Sequence, residues 1–341
     1  MNQPLHDVRL ETLTAWARQI LMTDKLVIAP ASADASFRRY FRIQVDRIHK
    51  ANETFIVMDA PPDKEDVRPF VTVAKLLRAA GVHVPKVVAE DIANGYLLLT
   101  DLGTQTFLEV LTEDNADALF SVAIDALIRW QLASQPGVLP AYDADLLRRE
   151  LSLFPDWYIA KHLQVALDEA QQATLEGMFE LIIKTNLAQA SVFVHRDYMP
   201  RNLMISNPNP GVLDFQDAVY GPISYDVASL FRDAFISWPE ARVIDWAARY
   251  WERARQAGLP VPADFGQFYR DLEWMGLQRH LKVLGIFARI NYRDGKPKYL
   301  ADTPRFLNYV RQVGQRYDDL RPLMRLLDQL EGIQPQVGYT F

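Results

Sequence analysis

The stretch VFVHRDYMPRNLMI, residues 192–205, decides how this chain is read. A short apolar run, VFV, leads into His195-Arg196-Asp197, and Asn202 follows five residues after the aspartate, just before a second apolar run, LMI. Twelve residues beyond Asn202, Asp214 closes a third such run, GVL. Transfer of a phosphoryl group from a nucleotide to a hydroxyl has a chemical need for these residue types. A carboxylate must accept the hydroxyl proton, and an amide plus a second carboxylate must hold Mg2+ against the phosphates. Both candidate ligands offer hard oxygens, which Mg2+ prefers. Asp and Asn are also turn formers, so the motif alone admits a plain loop. The second aspartate, the flanking strands and a strand-rich region upstream argue against that reading.

Upstream, KLVIA (25–29), FRRYFRIQV (37–45) and TFIVMD (54–59) read as strands. Pro61-Pro62 stops the third, because proline cannot donate to a ladder. Val67 to Ala80 reads as a helix with Phe70, Val71, Ala74 and Leu77 on one face. KVVAED (86–91) and YLLLTDL (96–102) then meet at Asn94-Gly95, a strong hairpin signal. A helix precedes all of this, with Leu10, Leu13, Ala17, Ile20 and Leu21 at three- and four-residue steps. After Thr104 the pattern is mostly helical, over about 105–133, 143–160, 167–190, 224–234, 239–257, 264–290 and 303–329. The expected class is α+β: a small, mostly β N-lobe over 1–102 and a large helical C-lobe over 103–341.

At roughly 150 residues per domain, a length of 341 agrees with two lobes. Lys and Arg total 37 against 43 Asp and Glu, a net charge of −6 that argues against a nucleic-acid partner. The absence of cysteine excludes disulfides, thiolate metal sites and Cys nucleophiles. MNQPLHDVRL lacks the apolar core of a secretory leader, and no run nears the ~18 apolar residues of a membrane span. The expectation is a cytoplasmic protein with no membrane partner; oligomeric state is not legible.

The spacing H-R-D-x-x-x-x-N followed by D-F is that of a kinase catalytic loop and metal-binding segment. Residues 25–235 resemble the aminoglycoside phosphotransferase and choline kinase family of small-molecule kinases, which share a protein-kinase-like bilobal fold. Four longer segments, ADASFRRYFRI, FVHRDYMPRNLMI, GVLDFQDAVYGPISYDVASLFRD and QRHLKVLGIFARINYRDGK, look like the bacterial anomeric N-acetylmuramate/N-acetylglucosamine kinases of cell-wall recycling. That resemblance implies Asp197 as catalytic base, Asn202 and Asp214 as Mg2+ ligands, and ATP between the lobes with adenine near Thr100, Asp101 and Leu102. It also implies that Asp226 braces the catalytic loop, although a helix-capping role is equally compatible with its position. His195 reads as a packing residue of the loop and Arg196 as structural.

Several departures bear on function. Gln216 stands where a protein kinase has glycine, and the few residues before the helix at Ser224 leave no room for a long activation segment. A small-molecule acceptor follows. The connection APASADAS (29–36) has no glycine to bring backbone N–H groups close to phosphate; Ser32 and Ser36 are the candidate donors instead. In FIVMDAPP, Met58 and Asp59 occupy the place of the family's phosphate-pairing Lys or Arg, leaving Arg38, Arg39 and Lys64 as the nearest cations. No helix glutamate can be assigned as partner, Glu65 and Asp66 being only at the helix start.

On the acceptor side, Glu150, Trp157, Asp233 and Trp238 combine acids with aromatics as sugar sites do, and core packing explains each of them equally well. Residues 279–298 carry six Lys or Arg against one Asp, with Arg279, Lys282, Arg289 and Arg293 on one helix face. That face reads either as a solvated basic surface or as a site for a carboxylate-bearing sugar. The leading expectation is an ATP- and Mg2+-dependent amino-sugar 1-kinase. The alternatives are another small-alcohol kinase, acting on an aminoglycoside, choline or homoserine, and a nucleotide-binding pseudokinase.

Overall fold

The computed structural model describes residues 7–32, 37–46 and 53–333. They group into two compact units, one formed by residues 1–107 with 202–217 and the other by 108–201 with 218–341. The first unit opens with α1 (Val8–Leu21) and continues with β1 (Leu26–Ser32), β2 (Arg39–Val45), β3 (Glu53–Asp59), α2 (Arg68–Ala79), β4 (Val87–Asp91) and β5 (Tyr96–Thr100). The five strands form one antiparallel sheet in the order β1-β2-β3-β5-β4. Alternation in the strands sends Phe41, Ile43, Val45, Phe55, Val57, Tyr96 and Leu98 to one face, where Leu13, Ala17 and Leu21 of α1 cover them.

Asp59 ends β3 fully buried and holds two arginines, Arg9 of α1 at 2.5 Å and Arg39 of β2 at 2.5 Å. Arg39 also reaches Asp7, whose side chain caps α1 by accepting the Leu10 N–H at 3.0 Å. The acid in the place of the expected strand lysine is therefore the anchor that fastens α1 to the sheet. The β4–β5 turn needs its glycine for two reasons: Gly95 has φ +73°, and a Cβ there would lie 1.8 Å from the Ala60 carbonyl oxygen.

The expected break at Leu102 and Gly103 lies inside this unit. The segment after β5 stays with it because the Ile205 N–H donates to the Gln105 carbonyl at 2.9 Å and Thr106 bridges Met204. Residues 202–217 complete the unit through a small hairpin, introduced with the site below.

The second unit is helical: α3 (Phe107–Val110) leads into it, followed by α4 (Ala116–Leu132), α5 (Ala144–Leu153) and α6 (Glu169–Leu187). The single helix expected over 105–133 is interrupted at 111–115, where Asn115 accepts the Thr112 N–H at 2.8 Å and donates to the Val110 carbonyl at 2.8 Å. The one expected over 143–160 changes character at Phe154, becoming a π-helical stretch to Leu163. Pro155 lacks the N–H that an α-turn requires, and the wider turn accommodates it.

Beyond residue 224 come α7 (Tyr225–Phe231), α8 (Glu240–Gln256), α9 (Phe265–Asp294), α10 (Thr303–Arg316) and α11 (Arg321–Leu330). The last two replace one expected helix, with Pro322 in the first turn of α11. α9 is the axis of the unit, packed by α5, α6, α7, α8, α10 and the π-helical stretch. Gly285 lets it approach closely, since a Cβ there would lie 2.2 Å from the Leu153 carbonyl oxygen. Among the described residues no helix is long and apolar enough to cross a membrane.

Candidate active site

In the second unit, β6 (Ser191–Val194) carries the chain into the loop that holds Asp197. β6 pairs antiparallel with residues Val219–Pro222, a strand that the sequence pattern does not announce because it ends in Gly-Pro. Asp226, in the first turn of α7 and 0% exposed, accepts the His195 N–H at 2.7 Å and the Arg196 N–H at 3.0 Å. Burial pushes its carboxyl up to about 7, an effect that these two N–H groups only partly offset. The brace implied for Asp226 is present. His195 is 1% exposed, and its Nδ1 accepts the Asp197 N–H at 3.2 Å, so it shapes the loop. Tyr198 packs edge-on against it and donates its hydroxyl to the Ala123 carbonyl at 2.8 Å.

Arg196 has φ +77° and Asp214 φ +63°. Among the described residues only two other non-glycine positions, Met22 and Gln164, share this left-handed geometry, and both are helix C-caps. Backbone strain held outside a cap marks a site whose side chains must be aimed.

The Arg196 guanidinium is aimed at Glu150 of α5. Glu150 also pairs with Lys282 of α9 at 2.8 Å, and accepts from the Tyr142 hydroxyl and from Gln278 Nε2 at 3.0 Å. Burial alone would raise its carboxyl, but Lys282 and Arg196 outweigh burial and hold it at about 2. Lys282 donates further to the Tyr225 hydroxyl at 3.1 Å. Both oxygens of Glu150 are thus engaged within the protein, and Lys282, expected on a basic helix face, is a buried ion partner.

In the first unit, β7 (Leu203–Met204) and β8 (Gly211–Val212) form a short antiparallel hairpin. It turns the chain back so that the Leu213 N–H donates to the Asn202 carbonyl at 2.9 Å. Asn202 Nδ2 and Asp214 Oδ2 then lie 3.4 Å apart, and Gln216 Nε2 donates to Asp214 Oδ1 at 2.9 Å. Phe215, fully buried, packs tilted against Phe70 of α2 with ring centroids 4.7 Å apart and anchors the turn. One amide and one carboxylate brought together fit Mg2+, which keeps phosphate and water oxygens in the rest of its shell.

Arg38, half-buried just before β2, lies within electrostatic range of this pair. Burial alone would lower its affinity for its proton, but Tyr40 and the carboxylates of Asp214, Glu65 and Asp217 reverse that. Of the other cations near the expected lysine place, Arg39 is held by Asp59 and Asp7, and Lys64 is exposed beside Asp63 at 3.4 Å. Glu65, unassignable by pattern, emerges as an acidic neighbour of Arg38. Gln216 gave no signal beyond not being glycine.

Of the remaining candidates, Ser32 ends β1 and Ser36 lies outside the described residues. Thr100 Oγ1 accepts the Lys86 N–H at 2.9 Å. Asp101 accepts from Arg42 Nε at 2.6 Å and Nη2 at 3.0 Å, and Leu102 is buried. Asp233 and Arg279 are buried in the second unit, while Trp157 is half-buried in the π-helical stretch and Trp238 packs edge-on against Phe120 and Trp246. Arg293 pairs with its neighbour Asp294 at 2.6 Å.

The H-R-D-x-x-x-x-N loop and the D-F turn carry the residue types that phosphoryl transfer to a hydroxyl requires. Residues 27–265 match the phosphotransferase enzyme family, and the chain belongs to it. It is 52% identical to an N-acetylmuramate/N-acetylglucosamine kinase of Pseudomonas putida over 96% of this chain and 98% of that one. A protein of the same name from Neisseria meningitidis is 48% identical over 96% and 98% of the two chains. Among solved structures, choline kinase from Cryptosporidium parvum matches with TM-score 0.61 at 12% identity, covering 96% of this chain and 98% of its own. The ADP-bound aminoglycoside phosphotransferase APH(2'')-Ib matches with TM-score 0.57 at 14% identity, covering 89% and 98%. The fold is protein-kinase-like.

Proposed function

We propose that this chain transfers the γ-phosphoryl group of ATP to the anomeric hydroxyl of N-acetylmuramate and N-acetylglucosamine, in the cytoplasm, where ATP is made available. The observation that carries the acceptor class is the 52% identity to the Pseudomonas putida kinase, which runs through both units. The chemistry rests on Asp197, Asn202 and Asp214. Asp197 accepts the proton of the attacking hydroxyl, with its loop fixed by Asp226 through two N–H bonds and by Glu150 through Arg196. Asn202 and Asp214 would hold Mg2+, which when bound would neutralise phosphate charge. Arg38 replaces the strand lysine as the protein's own cation toward the phosphates, with Glu65 as its acidic neighbour. The backbone near Thr100 and Leu102 receives adenine; the Asp101 carboxylate is held by Arg42. Glu150 acts through Arg196 and not on the sugar. A pseudokinase has no chemical need for all three of Asp197, Asn202 and Asp214.

The test is product identity. With ATP and Mg2+, the free reducing sugar is expected to yield an acid-labile 1-phosphate whose phosphorus couples to the anomeric proton in NMR, and the 1-O-methyl glycoside to remain unchanged. Asp197→Asn should lower turnover by ~10²–10⁴ with nucleotide affinity little altered. A 6-phosphate product, or an active Asp197→Asn variant, overturns the assignment.

A further inference from the structure

Buried charges in this protein are matched with care. Glu150 has four partners, Asp59 has two arginines, and Glu273 is held by Arg316 and by the Tyr317 hydroxyl at 2.6 Å. Two buried charged side chains of the second unit, Arg279 and Asp233, have no ion pair among the described residues and an incomplete set of hydrogen bonds. Arg279 of α9 is 2% exposed, yet its Nη1 has no hydrogen-bond partner and its Nη2 reaches only the thioether of Met199 at 3.8 Å. Asp233, 0% exposed, accepts the Phe235 N–H at 2.9 Å and the Ile236 N–H at 3.2 Å on Oδ2, while its Oδ1 is buried without a partner. Trp238 Nε1, in the same irregular segment between α7 and α8, is also unpartnered. The two ions feel each other: burial pushes the Asp233 carboxyl up, and Arg279 is among the groups that pull it back. They are nevertheless not bonded to one another. The adjacent His280 is fully buried and held neutral by burial and by Arg279, so it supplies no countercharge.

A buried guanidinium edge and a buried carboxylate oxygen left unmet are costly unless a ligand completes them. Their place tells which ligand. Met199, whose Sδ accepts from Arg279 Nη2, stands two residues after the proposed base Asp197, so Arg279 borders the loop proposed to meet the acceptor. An unpaired guanidinium calls for a carboxylate, and an unpaired carboxylate oxygen for a hydroxyl or amide N–H. N-acetylmuramate carries all of these; N-acetylglucosamine carries only the hydroxyls and the amide.

We infer that Asp233 and Arg279 form the acceptor subsite, with Asp233 Oδ1 receiving a hydroxyl or amide hydrogen common to both sugars and Arg279 binding the lactyl carboxylate that only N-acetylmuramate has. This rests on the amino-sugar kinase reading above and adds the residue that distinguishes its two substrates. The experiment is steady-state kinetics on both sugars with wild type, Arg279→Gln, Arg279→Lys and Asp233→Asn, each checked for unchanged melting temperature and ATP binding. Arg279→Gln should raise the KM for N-acetylmuramate at least tenfold and that for N-acetylglucosamine less than threefold, with Arg279→Lys between. Asp233→Asn should impair both sugars alike. The neutral lactyl amide of N-acetylmuramate should lose affinity for wild type and not for Arg279→Gln. Equal loss on both sugars in Arg279→Gln, or none, overturns the subsite, since a merely structural arginine has no means of sensing the lactyl group. Wild type inactive on both sugars overturns the underlying reading and the subsite with it.

Discussion

Asp59 occupies the strand position where a phosphate-pairing lysine is expected, and both of its oxygens are taken by Arg9 and Arg39. An acid there cannot serve a triphosphate, so on the proposed reading the positive charge comes from another residue or from Mg2+. Arg38 has the setting: half-buried, with Asp214 and Glu65 as charged neighbours. A charge-assisted hydrogen bond contributes about 1.5–3 kcal/mol, or roughly a ten- to hundredfold change in affinity. Arg38→Gln is therefore expected to raise the KM for ATP about tenfold or more in initial-rate assays. Arg39→Gln should instead lower the melting temperature and leave that KM nearly unchanged. Unaltered ATP kinetics in Arg38→Gln would place the compensating charge on another residue. From sequence, adjacent arginines in FRRYF are indistinguishable as charges, because their roles depend on which face of the strand start each leaves from. The absence of the lysine was legible; which of the two arginines is tied to Asp59 was not.

α9 gathers the ionic wiring behind the loop that carries Asp197. Gln278 and Lys282 reach Glu150 of α5 from one side and Arg196 reaches it from the loop. Removing the acid leaves two buried cations facing each other, a change that typically costs about 3–5 kcal/mol. Glu150→Gln should accordingly show a large fall in urea midpoint at neutral pH, and adding Lys282→Met should restore part of it. The pH dependence has a definite sign. Because the folded carboxyl is held at about 2, below its ordinary 4.5, its contribution is complete above pH 4.5 and is lost as pH falls from there toward 2. Wild type should lose stability across that window more steeply than Glu150→Gln; parallel curves would show that the pair contributes nothing. The existence of nearly every helix was legible from apolar periodicity, whereas breaks at Pro155 and Pro322 were readable signals left inside longer runs. The strand Val219–Pro222 was not legible, since its pairing with β6 is a tertiary fact.

The division of the chain does not follow the order of synthesis. Residues 202–217 belong with 1–107, and they bring Leu203, Val212 and Phe215, each fully buried, into the first unit. Burying such side chains contributes about 1.5–3 kcal/mol apiece. Their loss is comparable to the ~5–15 kcal/mol that holds a typical domain together. A fragment ending at Phe107 is thus expected to show no cooperative melt by circular dichroism. A fragment that joins residue 107 to 202–217 through a short Gly-Ser turn should regain one, because Thr106 already bridges Met204. A cooperative melt of the short fragment would show that the hairpin is an accessory to this unit. The sequence pattern placed a boundary at the end of β5 because periodicity changes there, and periodicity carries no record of a later segment returning.

That return sets a schedule. At about 5–20 residues per second, a ribosome takes on the order of 5–20 s to make the roughly 110 residues that separate Phe107 from Asp217. Through that interval the newborn sheet has emerged without the hairpin that completes it, so Phe70 waits uncovered on α2 until Phe215 arrives. The same late segment carries Asn202 and Asp214. The amide–carboxylate pair proposed to hold Mg2+ is therefore delivered in the act that finishes the fold.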